Sequence, residues 1–231
     1  MKLNKKKSKL IAINKQEELD NNRMKITCGW EDLEWVNSCD YLGVRIQSNG
    51  KIDNEITNRI NKASKVYHSL NNALISKKEI SKTTKMQVYN SIYKPTLTYA
   101  SESWTMNTKH KSQIQAAEMK YLRRAVGKSR FDRVRNVNVR EDLKQKPLIK
   151  DIECRQLRWF GHLNRMDNSR IPKLVMEVKM DGRRTRGRPR TTWMDNIGKI
   201  ATDRGKSLAE LKKLSRDRKK YREWLRKNPT P

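Results

Sequence analysis

The chain has 231 residues, 54 Lys or Arg against 25 Asp or Glu, a formal net charge of +29, and only 35% apolar residues. That is enough chain for one or two domains around a lean core, and a charge this one-sided repels itself unless a polyanion is near, which inside a cell means nucleic acid first. No run approaches the roughly 20 apolar residues of a membrane span, and the Lys-rich start lacks the apolar centre of a signal peptide, so a membrane partner is excluded and an intracellular protein expected.

Residues 9–13 (KLIAI) form a short apolar run of strand length. Residues 24–28 read as a second strand, 29–31 as a turn, and 32–36 as its hairpin partner. A further strand is expected over 41–46 (YLGVRI), ending at the turn signal Ser48-Asn49-Gly50. Residues 1–50 are thus a small β unit, with too few strands to stand alone.

After Gly50 the apolar period changes. Ile52, Ile56, Ile60, Ala63, Tyr67, Leu70 and Leu74 share one stripe of a helix over 53–75. A second helix over 81–93 is expected to bury Met86, Tyr89, Ile92 and Tyr93 before Pro95 interrupts it. A third spans 109–126, with Thr108 as N-cap and Gly127 as its stop. Residues 51–127 therefore read as a helical bundle.

Beyond it lies a basic extension, 128–231, holding most of the excess charge: residues 105–231 carry 36 of the basic side chains and 14 of the acidic ones. A helix over 147–165 places Leu148, Ile152, Trp159 and Leu163 inward and Arg155, Arg158 and Arg165 outward. A short helix begins at Pro172, and residues 181–190 (DGRRTRGRPR) are a basic loop broken by Gly and Pro. Residues 192–204 form a helix with Trp193, Ile197 and Ile200 inward. Ser207 and Glu210 make a capping box for one last helix, with Leu211, Leu214, Tyr221, Trp224 and Leu225 on its apolar face. The fold class predicted is α+β, mostly α: a β-hairpin unit, a helical bundle and a basic helical extension.

Cys28, Cys39 and Cys154 are odd in number and lack C-x-x-C spacing, so neither a disulfide framework nor a zinc ribbon is implied. His68, His110 and His162 are scattered and read as ordinary helix residues. Glu31-Asp32 and Glu141-Asp142 read as solvated pairs, since neighbouring side chains on a strand point to opposite faces. No metal site is predicted.

Four segments, in order, carry a resemblance. These are Leu3-Asn4 with Lys7-Ser8-Lys9 before an apolar strand; residues 40–46 (DYLGVRI), then a turn and residues 53–59; residues 157–162 (LRWFGH) with Arg165-Met166; and Gly187-Arg188-Pro189-Arg190 followed by Trp193. Together they resemble the carboxy-terminal part of a reverse transcriptase of the non-LTR, LINE-type retrotransposons: the end of the palm, the thumb and the carboxy-terminal extension. The resemblance covers essentially the whole chain. In that family an Asp of an early palm strand and a Tyr-Ala-Asp-Asp loop hold two Mg²⁺ ions that activate the primer hydroxyl. Neither feature occurs in this sequence, so by the resemblance the chain starts just after the loop and no catalytic residue or cofactor is assigned to it; the missing catalytic part becomes a conceivable partner.

What the resemblance leaves is capacity to bind. It implies that Lys5, Lys6, Lys7 and Lys9 form the basic segment near the incoming nucleotide, and that Tyr41, Leu42 and Gly43 correspond to the primer grip. Gly43 inside a strand would let a sugar-phosphate backbone approach closely. Lys62, Lys65, Lys77, Lys78, Lys82 and Lys85 would face an RNA–DNA hybrid and fix register through its phosphates. In the extension, Arg155, Arg158, Arg165, Arg183, Arg184, Arg186, Arg188 and Arg190 are binding candidates, with Arg216 and Arg218 beside them. Trp159, Trp193 and Trp224 are assigned to the core by their helical spacing. Arg186-Gly187-Arg188-Pro189 also matches the core of an AT-hook, which suits a narrow A·T minor groove.

The expected function is therefore that of a retrotransposon reverse-transcriptase fragment, inactive alone, that holds template RNA, RNA–DNA hybrid or target DNA. A domesticated basic DNA-binding or architectural module is the alternative from another class, and an unselected translation of a decayed element the third. Lys5-Lys6-Lys7 would suit a nuclear address.

Overall fold

The computed structural model describes residue 4 and residues 8–13, 25–28, 31–178, 187 and 191–227. The architecture is α+β, mostly α, in two compact units, residues 1–62 and 63–231, whose division falls inside one helix.

The first unit carries six short strands: β1 (Lys9–Leu10), β2 (Thr27–Cys28), β3 (Glu31–Asp32), β4 (Glu34–Trp35), β5 (Ser38–Tyr41) and β6 (Val44–Gln47). β2 pairs antiparallel with β3, so the expected hairpin exists but is shorter. Glu34 and Trp35 leave it and pair in parallel with Lys9 and Leu10. The segment YLGVRI is not one strand. Tyr41 pairs with Val44, and Leu42-Gly43 is the two-residue turn between β5 and β6. Both turn residues have positive φ, +49° and +80°, the geometry that matches the twist of a hairpin. A period-two reading misses this because the turn residue Leu42 looks like a strand residue.

Helix α1 (Asp53–Leu70) is stapled to that hairpin by a buried ion pair within residues 1–62. Glu55 and Arg59 are 2% and 5% exposed. Arg59 Nε donates to Glu55 Oε1 at 2.5 Å, and its Nη2 donates to the Gly43 carbonyl of the turn. The second oxygen of Glu55 accepts the Arg45 backbone N–H at 2.7 Å. Every charge is thus met by a hydrogen bond, which is what makes its burial tolerable.

In the second unit α1 ends in a π turn, Asn71–Ile75. The extra residue rotates the apolar stripe, so Ile75 is buried where Leu74 was expected. Helix α2 (Lys82–Val88) likewise runs through a π turn, Tyr89–Tyr93, directly into α3 (Lys94–Leu97). Pro95 does not interrupt this rod. The π turn lies where its ring would meet the preceding carbonyls, and the helix continues. The buried positions become Met86, Tyr89, Tyr93 and Leu97, and Ile92 turns outward, 45% exposed.

Helix α4 (Thr108–Ala125) is capped by Asn107 rather than Thr108, with the His110 ring closing a capping box. Gly127, at φ +71°, ends it: its N–H reaches the Arg124 carbonyl and the Lys128 N–H the Arg123 carbonyl. Tyr67, Tyr89, Tyr93 and Tyr121 cluster between these helices, with ring centroids 4.8–6.4 Å apart. The Tyr93 hydroxyl donates to the Ala117 carbonyl and that of Tyr121 to the Lys85 carbonyl.

Helix α5 (Asn136–Asp142) lies in the stretch read as a connector, and α6 (Leu148–Asn164) follows it. Glu118 of α4 clamps all three helices together. Fully buried, it takes Arg140 Nη2 of α5 at 2.6 Å and the Leu148 N–H of α6 at 3.0 Å. Burial still pushes its carboxyl above the usual range, against the pull of Arg140.

Helix α6 is the hub of this unit, touching α4, a 3₁₀ turn at Ser101–Ser103, α7 (Ile171–Glu177), α8 (Trp193–Thr202), α9 (Leu208–Arg216) and α10 (Arg218–Lys227). Gln156, fully buried, donates to the Trp104 carbonyl at 2.8 Å and accepts from Asn196 Nδ2 at 2.9 Å. Leu157, Phe160, Ile197, Ile200, Leu211, Tyr221 and Trp224 form the apolar core beneath it. The last helix is two. Asp217 breaks it, accepting the N–H groups of Lys219 and Lys220 and so capping α10.

Glu55→Ala would leave the buried Arg59 guanidinium without its carboxylate, and unfolding by denaturant should register a loss of about 3–5 kcal/mol. Leu42→Asn, which relieves a left-handed leucine at an exposed turn, should raise stability by about 1 kcal/mol.

Candidate nucleic-acid interface

Helix α10 repeats arginine every fourth residue, at 218, 222 and 226, so the three guanidiniums leave one face of the helix. On α6, Arg158 and Arg165 are seven residues apart and also share a face. The two faces meet along a cleft of about 380 Å³ lined by these five arginines together with Tyr221 and Leu225. Among the described residues no carboxylate lines it. Among the described residues, Arg158, Arg218, Arg222 and Arg226 have neither an acid nor a hydrogen-bond partner, and all four are exposed. Arg165 is half-buried and fixed, its Nη1 donating to the Ser215 carbonyl at 2.8 Å.

The floor of the cleft is set by one close approach. The Tyr221 hydroxyl donates to the Leu157 carbonyl of α6 at 2.6 Å, and its ring lies over Gly161. A Cβ at Gly161 would stand 2.4 Å from Tyr221 Cε1. Burial pushes the Tyr221 phenol above its usual range, so it stays a protonated donor. Tyr221 also stacks on Trp224 with centroids 5.9 Å apart, which ties the cleft wall to the core.

Arginine cannot shed its proton to relieve crowding as lysine can. The five positive charges are therefore permanent, and a phosphate in the cleft would be met by planar forks suited to bidentate hydrogen bonds.

Arg158 and Arg165 enter the cleft with Arg218; Arg155 is half-buried on α6 outside it. Arg222 and Arg226 were missed, although the four-residue spacing from Arg218 was visible. Lys62, Lys65, Lys77 and Lys78 are exposed. Lys82 is held by Asp142, at 2.6 and 2.8 Å, and Lys9 by Glu34, so both charges are partly answered within the chain. Lys85 does not face solvent: it is 6% exposed, and burial followed by the nearby Arg124 lowers its pKa. Tyr41 and Leu42 stand out at the hairpin tip, 63% and 74% exposed, and the Gly43 carbonyl is occupied by Arg59. Lys5, Lys6, Lys7, Arg183, Arg184, Arg186, Arg188 and Arg190 lie outside the described residues.

The tryptophans divide. Trp224 is core, and Trp193 is half-buried with Nε1 donating to the Glu102 carbonyl at 2.9 Å. Trp159 is not inward as its spacing predicted. It is 37% exposed, its ring 5.4 Å from that of His162, while Phe160 takes the buried position. Among the described residues no group of three or more His, Cys, Asp or Glu side chains could hold a metal ion. Among them, too, no helix is long and apolar enough to cross a membrane.

Gly161→Ala and Gly198→Ala make a matched pair, since a Cβ at Gly198 meets nothing within 4 Å. Helix propensity alone favours Ala by up to about 1 kcal/mol. Thermal unfolding should show Gly198→Ala stabilised and Gly161→Ala destabilised by about 1–3 kcal/mol, because the anchored ring cannot yield.

No family model matches the sequence, and no solved structure matches it. The chain is similar to a transposon-derived protein of Caenorhabditis elegans, with 27% identity over 206 residues that cover 86% of this chain and 73% of that protein.

Proposed function

We propose that this chain is the carboxy-terminal part of a LINE-type retrotransposon reverse transcriptase, which grips nucleic acid and does not itself polymerise it. The observation that carries the reading is the concentration of unpaired arginines at one cleft of a chain whose net charge is +29. The likeness to a transposon-derived protein, extending over 86% of the chain, supports a mobile-element origin. The order of segments resembling the palm end, thumb and extension supports the narrower assignment.

On this reading the exposed Lys62, Lys65, Lys77 and Lys78 and the cleft arginines neutralise phosphates of template RNA, RNA–DNA hybrid or target DNA. Such contacts fix position without reading sequence. The chain has no adjacent pair of aspartates anywhere in its sequence. Nucleotide transfer would then require carboxylates supplied by another polypeptide segment, and the chain acts on nucleic acid in the nucleus.

A domesticated DNA-binding module is the second reading, favoured by Arg186-Gly187-Arg188-Pro189. Its signature would be a preference for A·T-rich duplex that disappears in the Arg186→Ala/Arg188→Ala double variant.

Gel retardation of a labelled RNA–DNA hybrid by the purified chain tests the proposal. If about six to ten phosphates are neutralised, affinity should fall by about 10³–10⁵ between 50 and 200 mM salt. With Mg²⁺ and nucleotides no primer extension should occur. Indifference to the hybrid at low salt, or extension by the chain alone, would overturn it.

A further inference from the structure

We infer that the cleft between α6 and α10 is a binding site for single-stranded nucleic acid, its arginines holding the phosphates and the exposed Trp159–His162 pair on α6 receiving a base. The inference rests on the reading above and narrows it to one strand at one place.

A cleft of about 380 Å³ sits at the low end of ligand pockets, enough for phosphate and sugar units of one strand. Arg218, Arg222 and Arg226 span about 12 Å of helix axis at ~1.5 Å per residue, longer than one phosphate can answer. An inorganic ion or a single nucleotide would leave much of that stripe unanswered.

Beside the arginines of α6 lies an exposed aromatic pair. Proteins that hold single strands combine a positive groove with aromatic faces on which bases stack. Tyr221 cannot serve, being 3% exposed and engaged by Leu157. Trp159 can: it is 37% exposed, follows Arg158 of the cleft directly, and lies 5.4 Å from His162, which is one turn before Arg165 on the same helix. Nothing in the core requires a tryptophan at that position, since Phe160 fills it.

The test uses the full chain and a fluorescent 20-nucleotide single strand, RNA or DNA, titrated at several salt concentrations beside its duplex. Arg222→Ala/Arg226→Ala should weaken single-strand binding by at least about tenfold and flatten the salt slope by about 1.4, at ~0.7 per phosphate contact. Trp159→Ala should weaken it by about fivefold or more with the slope unchanged, and should affect the duplex less. All three residues are exposed, and circular dichroism would confirm that the helices persist. Lys109→Ala/Lys146→Ala, at exposed lysines of the same unit outside the proposed grip, is the charge-matched control. If that control costs as much as the arginine pair, or if Trp159→Ala weakens duplex and single strand equally, the inference fails while the general grip on nucleic acid stands. Binding to vesicles of phosphatidylserine and phosphatidylcholine that depends on Arg222 and Arg226, with oligonucleotide affinity unchanged in their absence, would also overturn it. If the unaltered chain ignores every oligonucleotide, the proposed function falls with it.

Discussion

The arrangement of the second unit depends on how closely α10 can approach α6, and that distance is set by Tyr221 lying on Gly161. Glycine is the poorest ordinary helix former, so its place in the last turn of a 17-residue helix costs up to about 1 kcal/mol relative to alanine. The cost is offset by what the missing Cβ allows. The Tyr221 ring drops onto the helix, its hydroxyl reaches the Leu157 carbonyl, and the ring stacks on Trp224. With that seat made, Arg218, Arg222 and Arg226 are brought opposite Arg158 and Arg165. Five guanidiniums that would otherwise spread over a surface therefore share one cleft as a consequence of one packing contact.

A lean core needs other ties, and this chain uses buried carboxylates. Glu55 joins α1 to a hairpin turn in the first unit; Glu118 joins α4, α5 and the start of α6 in the second. Neither pair is an argument for high stability, because desolvating two charges consumes most of their attraction. What they supply is direction. A carboxylate buried among apolar side chains tolerates only the arrangement that meets both its oxygens, whereas methylene packing tolerates several. Gln156 acts in the same way without charge, its amide bound to a turn carbonyl on one side and to Asn196 of α8 on the other. These ties help a protein with 35% apolar residues to define one packing of its helices.

Helix positions were legible from apolar spacing, and so was the capping box at Ser207 and Glu210, because both signals are local. The errors arose where a local pattern had a second solution. Tyr41 to Ile46 fits a strand, yet a two-residue turn through Leu42-Gly43 brings the next residues back onto Tyr41, and cross-strand pairing decided between them. Pro95 normally ends a helix, but a π turn before it lets the rod continue. Trp159 sits at a spacing compatible with burial, and the larger share of that face went to Phe160. The motif at residues 157–162 could be recognised without being understood. Its Leu and Phe are core, its Gly is the seat of Tyr221, and its Arg enters the cleft. Half of the cleft was invisible for a different reason: Arg222 and Arg226 lie on a helix over 50 residues away in sequence, and only tertiary contact joins them to Arg158.

Permanent charge gives the cleft an energetic meaning of its own. Arginine keeps its proton at any physiological pH, so crowding five of them cannot be relieved by titration, only by counterions or by a bound anion. The acid that opens α10 is already engaged. Asp217 adjoins Arg218, but one of its oxygens caps α10, and Lys220 lies 3.8 Å from the other. The repulsion is modest while salt and water screen the exposed side chains. It would turn into attraction for any ligand that places several negative charges along the stripe at once, because each phosphate would be met by forks already held on two packed helices. Pre-organisation of that kind lowers the entropy lost on binding, and a ligand favouring the folded chain would in turn stabilise the α6–α10 contact that created the site.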